Sequence, residues 1–122
     1  MGPTVSFRGL DHRSYYRHDP NDPAVLVNDT GCGNTLAADH PMVLRMIMDS
    51  LRLWVRRAGL SGFRFDLAAT IARNPGAFEH RAPFLQAIAQ DASLHGVAMI
   101  AEPWDVGMGG YQLGGFPAPW GE

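Results

Sequence analysis

The sequence predicts an α/β chain built on a parallel sheet, and three observations carry that prediction. An amphipathic stretch from about His40 to Ala58 leads into a short strand-like segment, Gly62 to Asp66. A second apolar helical stretch, from about Pro83 to His95, leads into a continuous apolar run, Val97 to Ala101. Each strand-like segment has an acid at its end, Asp66 in the first and Glu102 directly after the second.

Residues 1–39 hold little periodicity and many turn formers. Asp19-Pro20-Asn21-Asp22-Pro23 and Asn28-Asp29-Thr30-Gly31-Cys32-Gly33-Asn34 read as turn clusters. The whole stretch is therefore expected to be irregular, and an irregular stretch of that length marks a functional loop. The first helix is expected from about His40 to Ala58, with Asp39 as its cap, Pro41 in its first turn and Gly59 at its exit. Val43, Ile47, Leu51, Trp54 and Ala58 recur at helical spacing, which places Trp54 in the core. Arg45, Asp49, Arg52 and Arg56 fall on the opposite, solvated face.

In the strand Gly62 to Asp66, alternation sends Phe63 and Phe65 to one face and Arg64 and Asp66 to the other. The second helix, from about Pro83 to His95, should bury Phe84, Leu85, Ile88 and Ala92 and stop at Gly96. Val97-Ala98-Met99-Ile100-Ala101 is unbroken apolar sequence, as expected of a strand covered on both faces. From Pro103 onward Gly, Pro and aromatic residues read as loop. The strand starts, Gly62 and Val97, are spaced as one βα repeat requires.

Length and charge exclude several function classes. The 122 residues hold one domain at most, and 46% hydrophobic with 18% charged residues is a globular composition. A formal net charge of -2 gives no footprint for nucleic acid or a membrane surface. Cys32 stands alone, so no internal disulfide forms. No apolar run approaches the ~20 residues of a membrane span and no leader pattern is present, so the expected location is the cytoplasm. Met1 to Ser6 formally fits an N-myristoylation pattern, but no basic cluster follows and no lipid anchor is expected. His12, His18, His40, His80 and His95 lack metal-ligand spacing and are expected at the surface or at helix ends. Thr30 to Asn34 lacks the strand that precedes a phosphate cradle, and no metal or cofactor is expected.

The chemistry concentrates at the strand ends. From the pentapeptide alone two readings stay open for Arg64 and Asp66: a self-satisfied structural ion pair, or a functional pair. Glu102 adds to the second, because two parallel strands ending in acids bring both carboxylates to one end of the sheet. That is the end where β/α barrels carry their catalytic groups. Glycoside hydrolysis uses such a pair, one acid as nucleophile and one as proton donor, with a separation of about 5–5.5 Å for retention and more for inversion. Arg64 beside Asp66 favours its ionised form, while Ile100, Pro103 and Trp104 around Glu102 favour the protonated form. Asp66 is thus expected to be the nucleophile and Glu102 the general acid. Trp104, Tyr111, Phe116 and Trp120 follow the second acid and divide between sugar stacking and loop packing; Trp104 and Tyr111 are the substrate-binding candidates.

Gly62-Phe-Arg-Phe-Asp-Leu-Ala68 and Ile100-Ala-Glu-Pro-Trp-Asp105 resemble two signature segments of the α-amylase superfamily, glycoside hydrolase family 13. Phe7-Arg-Gly-Leu-Asp11, Ser14-Tyr-Tyr-Arg17, Asn28-Asp-Thr-Gly-Cys-Gly-Asn-Thr-Leu36 and Gly109-Gly-Tyr-Gln-Leu-Gly-Gly-Phe-Pro117 resemble its glycogen-debranching and isoamylase branch. The resemblance implies that residues 1–122 are part of a (β/α)8 TIM-barrel catalytic domain: about strands 4 and 5, their flanking helices and the long loop before them. It implies Asp66 as nucleophile, Glu102 as general acid/base and Arg64 as the group that orients the nucleophile. It also implies an α-glucan substrate cut at α-1,6 branch points with retention. Branching or α-1,4 hydrolysis is the alternative within the superfamily. The family's first signature and its third catalytic acid find no match here, so the isolated chain is expected to be inactive. Ser61, Ala37 and Ala38 also depart from the family pattern, at positions where more polar residues are expected.

Overall fold

The computed structural model describes residues 5–122; Met1 to Thr4, where the acylation-like pattern begins, lie outside the described residues. The elements in chain order are α1 (Val5–Tyr15), α2 (Pro41–Ala58), β1 (Gly62–Phe65), α3 (Ala68–Ile71), α4 (Pro83–Gln90), a 3-10 turn (Ala92–Leu94) and β2 (Ala98–Ala101). β1 and β2 form a parallel pair in the register Gly62↔Ala98 to Phe65↔Ala101, as their sequence order and helical crossover predict.

α2 begins on Pro41 and ends on Gly59, whose left-handed backbone (φ 64) lets its amide reach Val55 O at 3.0 Å. Its cap is His40 rather than Asp39: Nδ1 of His40 accepts from the Met42 amide at 3.3 Å. Asp39 is instead drawn into an ion pair with Arg17, a stronger partner than a helix amide. The buried face of α2 also departs from expectation. Val43, Met48 and Leu51 are buried with Leu44, Ile47 and Val55 packed beside them, whereas Trp54 is 53% exposed and Ala58 lies at the surface. Trp54 flanks an open apolar groove with Leu51, Leu60, Phe63 and Phe65, which takes no residue of β2 in its lining. Two strands are too few to cover both flanks of the helix layer.

The core gathers Met48 and Leu51 of α2, Phe84, Leu85 and Ile88 of α4, Leu94 and Met99, with Phe63 and Phe65 of β1 packed against it. Each large side chain fully withdrawn from water in this way contributes about 1.5–3 kcal/mol. α4 is shorter than its apolar pattern suggested, and Ala92 is exposed. Asp91 interrupts the helix and caps the 3-10 turn, its Oδ1 accepting from the Ser93 amide at 2.8 Å. β2 is covered on one face only: Met99 and Ala101 are buried, while Ala98 and Ile100 are exposed. Its far edge takes a single parallel bridge from Gly121, whose amide reaches Met99 O at 2.8 Å.

The N-terminal stretch is more ordered than its composition indicated. Val5–Tyr15 is helical with a break at Asp11 (φ -157, ψ 85), where the carboxylate caps the following turn through Ser14 Oγ at 2.6 Å. No residue of α1 is buried, which is why no apolar period announced it. Phe7 stacks on Tyr15 with ring centroids 4.6 Å apart. Residues 16–36 then fold back through bridges Tyr16↔Leu36 and His18↔Leu26.

Arg52 Nε binds Asp91 Oδ2 at 2.6 Å, fastening α2 to the end of α4. Burial alone would push the Asp91 carboxyl up, but the Ser93 amide and the Arg52 guanidinium hold it below the usual aspartate value. A depressed folded value means that this stabilisation is complete above the ordinary aspartate range and is lost as pH falls through the folded value. Melting temperatures of the chain should therefore drop between about pH 5 and pH 2. Asp91→Asn should flatten that acid limb and lower stability at neutral pH; an unchanged acid limb would refute the assignment.

Candidate active site

Asp66 and Glu102 directly follow the paired strand ends Phe65 and Ala101. The ladder continues past those ends, with Glu102 N donating to Phe65 O at 2.9 Å and Ala68 N donating to Glu102 O at 2.9 Å. Glu102 therefore brackets Asp66, and both side chains leave the same end of the sheet. The two carboxyls act on each other directly, Glu102 pushing Asp66 up and Asp66 drawing Glu102 down. Neighbouring strands stand about 4.8 Å apart.

The electrostatics of the pair run opposite to the local sequence expectation. Arg64 Nη2 rests on Glu102 Oε1 at 3.2 Å, not on Asp66. The Leu67 amide donates to Glu102 Oε2 at 2.9 Å. Glu102 is held below the usual carboxylate range by the hydrogen bond from Asp66, the Leu67 amide and Arg64. Asp66 is pushed up by sharing its hydrogen bond with Glu102, by partial desolvation and by the Glu102 charge. The apolar neighbours that suggested a protonated Glu102 face elsewhere: Pro103 is buried, and Ile100 and Trp104 are exposed. The donors came from the chain across the strand gap, which a reading of neighbours in sequence does not reach.

Behind the strand ends lies a charge cluster that the sequence did not reveal. Arg73, 2% exposed, grips Asp105 with Nε to Oδ2 at 2.8 Å and Nη2 to Oδ1 at 2.7 Å, and the Asp105 side chain has no exposure at all. Asp29 approaches Arg73 Nε at 3.7 Å, while Gly76 O and Met108 O accept from the guanidinium at 2.6 and 3.0 Å. Arg17 reaches Arg73 O at 3.2 Å. Three separate loops are tied together: the turn at Asp29, the segment after α3 and the loop after Glu102. Val106 N adds a bond to Asp29 O at 2.9 Å. Side-chain bulk is excluded there, since a Cβ on Gly107 would meet Asp29 Oδ1 at 2.4 Å and one on Gly110 would meet Asp105 Oδ1 at 2.2 Å. The available signal was the arginine directly after the uncharged run Ala68 to Ala72, together with the Gly-rich run that follows Asp105.

The four aromatic residues after Glu102 divide. Phe116 and Trp120 pack inward, with Trp120 5.2 Å from Phe65 and Phe116 5.3 Å from Phe78 between ring centroids. Trp104 is 42% and Tyr111 71% exposed, and the Trp104 amide donates to Glu102 O at 2.9 Å. Cys32 is a free, exposed thiol. Among the described residues no three metal-ligating side chains converge, and no helix is long and apolar enough to cross a membrane.

No family model matches the chain. Curated relatives do. The glycogen operon protein GlgX homolog of Mycobacterium tuberculosis (strain ATCC 25618 / H37Rv) is 48% identical over 122 residues, all of this chain and 17% of that protein. The glycogen debranching enzyme of Pectobacterium carotovorum subsp. carotovorum (strain PC1) is 50% identical over 121 residues, 99% of this chain and 18% of that protein. Among solved structures, a pullulanase from Bacillus acidopullulyticus superposes with a TM-score of 0.65 at 33% identity, over 83% of this chain and 11% of that one. A pullulanase from Anoxybacillus sp. LM18-11, complexed with maltotetraose, gives a TM-score of 0.61 at 31% identity, over 81% of this chain and 13% of that one. The chain spans less than a fifth of the curated relatives it matches. Over 99% of its length it is similar to a segment of that glycogen debranching enzyme, as its motifs implied.

Proposed function

We propose that all 122 residues form part of the catalytic barrel domain of an α-glucan debranching hydrolase, with β1 and β2 as the fourth and fifth strands of an eight-stranded barrel. Neighbouring strands would then cover the groove beside Trp54 and the open face of β2. The observation that carries this reading is the carboxyl pair at the C-terminal tips of adjacent parallel strands, in a chain about half identical to debranching enzymes. Asp66 attacks the anomeric carbon and forms a glycosyl ester, while Glu102 delivers a proton to the departing glycosidic oxygen. Glu102 then takes a proton from water, which opens the ester with net retention. These roles rest on the motif resemblance. They require the substrate to enter between the carboxyls and Glu102 to carry a proton when it does. Arg64, whose guanidinium rests on Glu102, positions the pair, and Trp104 and Tyr111 offer stacking faces for glucose rings at the rim.

The 122 residues alone should show no measurable debranching, because two strands with open edges leave the site unwalled and the third acid of the family pattern has no match in them. The test is a segment swap: the matching stretch of the Pectobacterium enzyme is replaced by this chain, and reducing ends are measured on branched and linear glucans. The hybrid should cleave branched glucan and spare the linear chain. A folded hybrid that cleaves neither, or only the linear chain, overturns the reading.

A further inference from the structure

Leu67, directly after Asp66, has a left-handed backbone with φ 46 and ψ 50, and among the described residues it is the non-glycine with positive φ. An aliphatic L-residue occupies that region only where its surroundings enforce it. Two bonds to one carbonyl do so here: Thr70 Oγ1 and Thr70 N both donate to Leu67 O, at 2.8 and 3.0 Å. Thr70 is fully buried and Ala68 N is fixed on Glu102 O at 2.9 Å, so the turn has little freedom. Its consequence is the orientation of the Leu67 amide, which lies on Glu102 Oε2 at 2.9 Å.

We propose that Thr70 is a positioning residue for the carboxyl pair: its buried hydroxyl holds Leu67 in the left-handed turn that aims the Leu67 amide at Glu102. The charged and titratable groups in contact with Glu102 are Asp66 and Arg64. Arg64 is 58% exposed, so its grip on Oε1 is solvated and adjustable. The backbone amide is fixed by the fold. It pins one oxygen of Glu102 while the other faces Arg64, and it keeps Glu102 in place when a ligand parts it from Asp66. The catalytic meaning of this device rests on the proposed function; the geometric claim does not.

The experiment titrates the chain with its Asp and Glu carboxyls labelled with carbon-13, read by NMR, with thermal melts run on every variant. Thr70→Val keeps the side-chain shape and removes the donor, so the Glu102 midpoint should move up toward an ordinary glutamate. Thr70→Ser should restore it. In a Leu67→Gly background the left-handed turn needs no enforcement, and adding Thr70→Val should change nothing further. A folded Thr70→Val chain with an unmoved Glu102 midpoint overturns the inference, as do wild-type Asp66 and Glu102 that titrate as ordinary, independent carboxyls. Should the single variant fail to fold, the Leu67→Gly/Thr70→Val chain decides: its Glu102 midpoint must match that of Leu67→Gly. In the hybrid enzyme Thr70→Val should lower kcat roughly five- to tenfold with KM little changed, the rate equivalent of one ordinary hydrogen bond. An inactive hybrid alongside a Thr70-sensitive Glu102 would sink the hydrolase reading and support this inference.

Discussion

Asp66→Asn in the hybrid debranching enzyme should lower kcat by about four orders of magnitude, and Glu102→Gln by about two to four. The asymmetry follows from the roles proposed. Without a nucleophile no ester forms, whereas loss of the acid still leaves an ester-forming route for substrates with good leaving groups. Because Glu102 pushes the Asp66 carboxyl up while Asp66, the Leu67 amide and Arg64 hold Glu102 down, the opposite assignment has a concrete electrostatic basis, and the experiment must separate the two. Small-residue variants with added azide do so. If Asp66 is the nucleophile, Asp66→Gly lets azide displace the leaving group in one step, giving a glycosyl azide of inverted configuration. Glu102→Gly still forms the ester on Asp66, azide opens it, and the product retains configuration. Exchange of those two outcomes would make Glu102 the nucleophile. Little effect from either amide variant would remove the pair from the chemistry altogether.

The parts of the fold legible in the sequence were those set by local periodicity and punctuation. Pro41 and Gly59 bounded α2, the alternation of Phe63 and Phe65 with Arg64 fixed the faces of β1, and Gly96 stopped the segment before β2. The position of the two acids followed from strand order alone. What stayed hidden depends on long-range contact. Asp39 was a sound cap by type, but Arg17 lies 22 positions away and outbids a helix amide. Trp54 sits on the apolar stripe, yet a stripe names a helix face and not the element that covers it. α1 buries nothing, so it carries no period to read. Strand alternation makes Arg64 the same-face neighbour of Asp66, while the bond it makes is to Glu102 just past the adjoining strand. The arginine at position 73 and the aspartate at position 105 are separated by 32 positions, and neither alone differs from a surface charge.

Arg73→Met should cost about 3–5 kcal/mol of folding stability, the largest single-site loss expected outside the hydrophobic core. The reason is the state it leaves behind. Asp105 has a side chain with no exposure, and without Arg73 its charge keeps, among the described residues, the Gly107 amide, 2.9 Å from Oδ1. Asp29 loses its neighbouring cation, and Gly76 O and Met108 O lose their donor. A stranded buried carboxylate is costlier than a missing ion pair, so replacing both partners should do less harm than replacing one. Arg73→Met/Asp105→Leu is therefore expected to recover a large part of the loss, a non-additivity that exposed pairs do not show. Urea unfolding of the chain and its three variants measures this cycle. A cost below about 1 kcal/mol for Arg73→Met would place the pair with ordinary surface bridges. The same would follow if the two single losses simply summed in the double variant. The clamp would then have no hold on the loop that follows Glu102.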